Sequence, residues 1–241
     1  MIEKNIIFQA YMEKKRKQIQ SRYDTRFEKD VWSVFKVMGE FVDGYERMSR
    51  VGPSVSFFGS ARLQKGTPYY QMAVETARHL ADTGFGIITG GGPGIMEAGN
   101  RGANLADGTS VGLCISLPHE DQGNSYIQKE YRIDFNYFFA RKVMFVKYAQ
   151  GFVVLPGGLG TLDEFFEAMT LIQTKKIHQF PIVLMGKDYW AGLIDWMKET
   201  MVQEKTIDSA DMELFHLTDD PEEATSIIFN FYENNKLRPN F

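Results

Sequence analysis

Apolar residues recur along this chain at two different periods, and the change of period divides it in two. In the first fifty residues Val31, Val34, Phe35, Met38, Phe41, Val42 and Tyr45 recur three or four positions apart, which predicts an amphipathic helix over 30–47. Such a stripe needs covering, by the rest of the chain or by another subunit. Gly52-Pro53 then breaks the helix. From residue 54 onward, short apolar runs predict strands at 55–58, 85–89, 110–117, 151–155 and 181–185. Between them, helical spacing covers 68–82, 95–105, 136–149, a stretch from Thr161, and 189–200. Weaker strands at 131–135 and 213–217, a polar loop at 118–126 and a last helix after Pro221 complete the series. Thr67-Pro68 reads as a threonine cap followed by a proline in the first turn.

Strands alternating with helices through short loops predict βαβ units. The expected fold class is α/β: a Rossmann-like, doubly wound, mainly parallel sheet with helices on both faces, over residues 51–241, preceded by an N-terminal helical extension over 1–50. Strands as continuously apolar as SFF and FVVL fit a sheet buried on both sides. Three glycine-rich turns follow Phe58, Thr89 and Leu155, so all three fall on the carboxyl edge of the sheet, where such folds bind ligands.

Composition narrows the chemistry. The net charge of −4 and the lack of a basic stripe argue against a nucleic-acid polymer as partner. The one dense basic run, Lys14-Lys15-Arg16-Lys17, reads as a solvated helix face. No apolar stretch of about 18 residues predicts a membrane span, and the first residues lack the apolar core of a signal peptide. A single cysteine, Cys114, excludes an internal disulfide and suits a reducing cytoplasm. The four histidines show no metal-ligand spacing, so no metal is expected.

The most informative segment is Pro156-Gly157-Gly158-Leu159-Gly160-Thr161-Leu162-Asp163-Glu164, entered from an apolar strand and left through a helix. Glycines admit a ligand close to the backbone, and a helix start offers unpaired N–H groups at its positive end, a seat for an anion such as phosphate. Glu164 is expected in the first turn, beside that anion. Thr161 and Glu164 equally fit a capping box, but a capping box requires none of the three glycines. The glycine spacing excludes GxGxxG, no GxxxxGK[ST] follows a strand, and no GxSxG elbow occurs. A mononucleotide or sugar-phosphate pocket of another design remains.

Arg141 is the second candidate. Tyr137, Phe138, Met144, Phe145 and Tyr148 share its helix face. A guanidinium there is either buried and in need of an anion, or snorkelling past the rings to water. Phe139, Val143 and Val146 on the other faces favour burial, while Lys142 reads as solvated.

With these motifs in view, the chain resembles the Lonely Guy (LOG) family across roughly residues 54–200. The family pattern PGGxGTxxE is matched from Pro156 to Glu164, the Arg-Lys pair by Arg141 and Lys142 with Met144 following, and the glycine turn by Gly90-Gly91-Gly92-Pro93-Gly94-Ile95-Met96. Gly59-Ser60 matches the turn after the first strand. The resemblance implies hydrolysis of the N-glycosidic bond of adenine-type nucleoside 5′-monophosphates (AMP or a cytokinin riboside 5′-monophosphate) to free base and ribose 5-phosphate. It implies Arg141 and Glu164 as the catalytic pair. Substrate contacts would come from Gly59, Ser60, Gly91, Gly92, Gly94, Met96, Lys142, Gly157, Gly158, Leu159, Gly160, Thr161, Leu162, Asp163, Thr170 and, in the loop after the third strand, Glu120. It further implies a homodimer or larger homo-oligomer. Two departures, the helical extension and Glu97-Ala98 after Met96, look like the longer bacterial branch. An old label of lysine decarboxylase attaches to some relatives, yet no lysine–acid pairing for pyridoxal is visible, and no cofactor is expected. The rival readings are a non-catalytic nucleotide or molybdenum-cofactor carrier of the same superfamily, and an enzyme acting on another sugar-phosphate bond.

Overall fold

The computed structural model describes residues 2–22, 28–115 and 123–241. Two compact units emerge, 1–39 and 40–241. The first contains helix α1 (Ile2–Arg22) and the start of α2 (Glu28–Met48). Periodicity predicted α2 but not α1, and the reason lies in exposure: residues 11–21 are all exposed, so no stripe distinguishes one face. What makes α1 helical is its density of Lys, Glu, Gln, Arg and Met, all strong helix formers. The basic run 14–17 lies on this helix, exposed. In α2 the apolar residues Val31, Val34, Phe35 and Met38 are exposed.

The second unit is built on seven parallel strands: β1 (Ser54–Phe58), β2 (Gly86–Thr89), β3 (Ser110–Ile115), β4 (Arg132–Phe135), β5 (Ala149–Val154), β6 (Ile182–Met185) and β7 (His216–Thr218). They pair in the order β4-β3-β2-β1-β5-β6-β7. The intervening helices are α3 (Pro68–Asp82), α4 (Ile95–Leu105), α5 (Phe138–Tyr148), α6 (Leu159–Gln173), α7 (Lys187–Trp196) and α8 (Pro221–Phe231). Side chains of α5, α6 and α7 pack in one core with Phe58, Phe152 and Phe180. Those of α3, α4 and α8 pack in another, with Val55, Phe57 and Val153. The sheet is thus buried on both faces, and β1 and β5 are buried at every position. The fold class is the Rossmann-like α/β architecture expected from the alternation.

Boundaries differ in three places that have a physical cause. The predicted helix 189–200 begins at Lys187 and passes at Met197 into a π-helical turn that ends at Val202. Thr67 occupies the cap position of α3 without capping it, because its hydroxyl donates instead to the Gln64 carbonyl (2.9 Å). The third difference, at the start of α6, belongs to the site. No helix among the described residues is long and apolar enough to cross a membrane.

The strand order reverses between β1 and β5: the chain runs outward through β2, β3 and β4, then returns to the other side of β1. Ligand crevices in open α/β sheets form at such a switch point. Here the turns after β1 and β5 are adjacent, and the turn after β2 lies one strand away.

Candidate active site

The backbone of one residue, Ser60, stitches the three turns together. The Ser60 N–H donates to the Pro156 carbonyl (2.9 Å), and the Ser60 carbonyl accepts from Ile95 N–H (3.0 Å). A Cβ on Gly94, whose φ is +67°, would lie 2.3 Å from that same carbonyl. Gly94 therefore has a packing reason as well as a conformational one to be glycine. The turns enclose a cavity of about 830 Å³.

The α6 helix starts at Leu159, two residues before the expected Thr161 start, with Gly158 at the cap. This corrects two expectations. No side chain caps α6, because Thr161 already sits in its first turn, with its N–H bonded to the Gly158 carbonyl (3.0 Å), and so cannot form a capping box. Glu164 consequently falls in the second turn and not the first. The uncapped end leaves backbone N–H groups facing the cavity mouth, where Gly158 and Gly160 have no heavy atom within 4 Å of a hypothetical Cβ. The turn is held from beneath: Tyr189 Oη donates to the Gly157 carbonyl (2.7 Å).

Glu164 lines the cavity while only 5% exposed, and its Oε2 has no hydrogen-bond partner among the described residues. Burial pushes its carboxyl up to about 7, with Glu167 and Asp163 adding to the rise, while the positive charges of Lys142 and Arg141 pull against it. Arg141 enters the cavity from α5. Its guanidinium lies over the Phe138 and Phe145 rings, at 5.1 and 5.7 Å from their centroids, and its buried Nε has no partner. Burial lowers its pKa and the Glu164 charge raises it, yet the two do not form an ion pair. Arg141 as a whole is half-buried with its Nε enclosed, so it falls between the two expectations for it.

Lys142, expected to be solvated, is held between α5 and α6 by Asp163 (2.8 Å) and Glu167 (2.9 Å). Both carboxylates come from α6, so the contact ties that helix to α5. Of the other residues singled out from sequence, Gly59, Ser60, Gly91, Gly92, Met96, Gly157, Leu159 and Thr161 line the same cavity, with Gly158 and Gly160. Gly94, Lys142, Leu162, Asp163 and Thr170 do not, and Thr170 is exposed two turns further along α6. Glu120 lies outside the described residues.

Sequence reasoning missed the supports. Asn124 donates from Nδ2 to the carbonyls of Gly91 (3.2 Å) and Gly92 (3.1 Å) and to Oδ1 of the fully buried Asn100 (2.9 Å). Thr89 Oγ1 accepts from Gly91 N–H (2.9 Å) and donates to the same Asn100 oxygen (2.6 Å). Glu40, from the last turns of α2, accepts from the backbone N–H of Asn136 (2.9 Å) and Tyr137 (3.2 Å), holding the start of the helix that carries Arg141. No local spacing announces these contacts. Tyr189 was findable, because the topology puts the turn after β6 next to the glycine turn.

No lysine, the residue with which a pyridoxal enzyme forms its imine, lines the cavity among the described residues. Among the described residues, no group of three or more His, Cys, Asp or Glu could hold a metal ion.

A family model described as "Possible lysine decarboxylase" matches residues 96–228, more than half of the chain. The cytokinin riboside 5′-monophosphate phosphoribohydrolase LOG of Oryza sativa subsp. japonica is 31% identical over 59% of this chain and 58% of its own length. The enzyme of that activity from Rhodococcoides fascians is 28% identical over 62% of this chain and 76% of its own. The chain thus aligns with little more than half of the rice protein. Among solved structures, the structural-genomics target TM1055 superposes with a TM-score of 0.56 at 25% identity, over 74% of this chain and 99% of that one. The molybdenum cofactor carrier protein of Chlamydomonas reinhardtii superposes at 0.55 and 22% identity, over 76% and 99%, a likeness of fold alone. With a family model matched over more than half of its length and cytokinin riboside 5′-monophosphate phosphoribohydrolases among its relatives, this chain belongs to the LOG family.

Proposed function

We propose that the chain is a nucleoside 5′-monophosphate phosphoribohydrolase, cleaving the N-glycosidic bond of AMP or a cytokinin riboside 5′-monophosphate with water. One observation carries the reading: a buried carboxylate and a half-buried guanidinium, each with an enclosed atom that has no partner among the described residues, share a cavity whose rim is an uncapped helix start. Unpaired buried charge is costly, and proteins keep it where a ligand completes it.

The 5′-phosphate would sit on the N–H groups at the start of α6, where Gly158 and Gly160 leave room. That places the sugar against Glu164. As the ribosyl bond breaks, positive charge grows at C1′ and negative charge on the departing base. The Glu164 carboxylate stabilises the first and takes a proton from the attacking water. Arg141 keeps its proton and stabilises the second electrostatically. Phosphate binding remote from the bond supplies positioning, so adenosine should react far more slowly than AMP.

The test is chromatographic. Purified protein incubated with AMP should release adenine and ribose 5-phosphate, with adenosine nearly inert. AMP held without turnover would instead favour a carrier, and equal rates on AMP and adenosine would remove the phosphate from the mechanism. The exposed apolar residues of α2 and α5, Phe35, Met38, Phe138 and Phe139, support a homo-oligomer, which light scattering on the full chain checks.

A further inference from the structure

The cavity runs along the carboxyl edge of five adjacent strands, from the glycine turn of β5 across β1, β2 and β3 to Arg132 and Asp134 on β4. At about 4.8 Å per strand that is on the order of 19 Å. Its contents are ordered. The anion seat and Glu164 lie at the β5 end. Arg141 reaches the β2 turn, with Nη1 3.7 Å from where a Cβ on Gly90 would stand. Cys114 on β3 lines the cavity beside Asp134, its partner in register on β4. With phosphate and sugar at one end, the group leaving C1′ is directed toward the other.

That other end is charged. β4 reads Arg-Ile-Asp-Phe, and the alternation sends Ile133 and Phe135 into the core while Arg132 and Asp134 face the cavity. The Arg132 Nε donates to both carboxylate oxygens of Asp134 (3.1 and 3.2 Å), and Nη2 donates to Oδ1 (2.9 Å). The backbone of Arg132 is itself tied down, its carbonyl accepting from Arg47 Nη1 (2.6 Å). Among the described residues no bond uses the guanidinium's Nη1, and the carboxylate has lone pairs beyond those that Arg132 takes.

From this we infer that Arg132 and Asp134 form the base-recognition subsite and select an unsubstituted 6-aminopurine, the adenine of AMP, over 6-oxo and N6-prenylated bases. The exocyclic amino group donates to Asp134, and a neighbouring ring nitrogen accepts from Arg132. A 6-oxo base would set its carbonyl against the carboxylate. A prenyl chain would be laid on an ion pair and strip its water. The inference rests on the phosphoribohydrolase reading and narrows its substrate.

The experiment compares AMP, IMP and isopentenyl-AMP on the wild type and on Asp134→Asn, an isosteric change at a half-exposed position. The wild type should favour AMP over both competitors. In the variant, kcat/KM for AMP should fall about tenfold or more, in line with loss of one hydrogen bond to a charged group, while IMP holds or improves. Inhibition by ribose 5-phosphate, which has no base, should stay unchanged. A variant whose AMP:IMP ratio stays within about threefold of wild type, or a wild type that prefers the prenylated nucleotide, overturns the subsite and leaves the hydrolase standing. If the wild type releases no base at all, the hydrolase reading has failed. The same ratio taken from AMP and IMP dissociation constants by calorimetry then decides the subsite on its own.

Discussion

The glycine turns after β2 and β5 look alike in sequence, yet their surroundings give them different work. In the β2 turn, a Cβ on Gly91 (φ +76°) would stand 2.4 Å from Cys114 Sγ, and one on Gly94 (φ +67°) 2.3 Å from the Ser60 carbonyl. Its carbonyls are clamped by Asn124. In the β5 turn, Gly158 and Gly160 meet nothing within 4 Å, and Leu159 between them is 86% exposed. The first turn is glycine because protein fills the space; in the second that holds for Gly157, which packs on Thr161, while Gly158 and Gly160 are glycine with the space left empty. Glycine costs roughly 1 kcal/mol against alanine inside a helix, so Gly160 in the first turn of α6 is a local loss with no packing return. In the proposed function, a ligand approaching the backbone would supply the return.

Substitutions can break that contrast, and the largest effect belongs to the filled turn. Gly94→Ala should destabilise the fold by about 3 kcal/mol or more, since it combines a positive φ with a clash against backbone that cannot move; urea denaturation reads this directly. An unchanged midpoint would mean that the β2 turn is as open as the β5 turn.

At the open turn the loss should be in chemistry. Glu164→Gln, on the helix that turn launches, should cost at least ~100-fold in adenine release with folding intact. Activity of the wild type should rise with pH through about 7, as Glu164 ionises in its buried site. The same group gives a stability signature of known sign. Its carboxyl titrates at about 7 when folded against a model value of 4.5. Its contribution is therefore fully present below about 4.5 and lost as pH rises to 7. Glu164→Gln should leave stability unchanged near pH 4 and raise it by about 1–3 kcal/mol at pH 8. A variant both inactive and less stable at pH 8 would indicate a structural role for the charge instead.

The smallest effect sharpens the comparison most. Gly160→Ala should stabilise the fold by about 0.5–1 kcal/mol, as alanine does in a helix, while raising KM for AMP. Stabilisation with KM unaltered would mean that nothing binds over α6.

Much of this was readable before any coordinates. Strands β1, β2, β5 and β6 announced themselves as short apolar runs because both faces of the sheet are buried. The three turns could be assigned to one edge because parallel strands joined by helices have no other choice. Other features were out of reach for local reasons. Helix α1 has no apolar stripe to count, and the early start of α6 depends on Gly158 and Gly160 taking up the backbone that Thr161 had been expected to begin. Lys142 reads as solvated until α5 and α6 are side by side and Asp163 and Glu167 close on it.

Sequence alone determined the fold class and the shared edge of the glycine turns, and it singled out Arg141 and Glu164 as candidates, since these follow from periodicity and from residue types at short spacing. Tertiary structure decided which glycines face protein and which face open space. It also decided how far the Glu164 carboxyl is lifted, and that Glu40, Asn100, Asn124 and Tyr189 brace the site. Those are properties of atoms brought together from distant parts of the chain, where burial and partner distance, and not spacing along the backbone, set the energy.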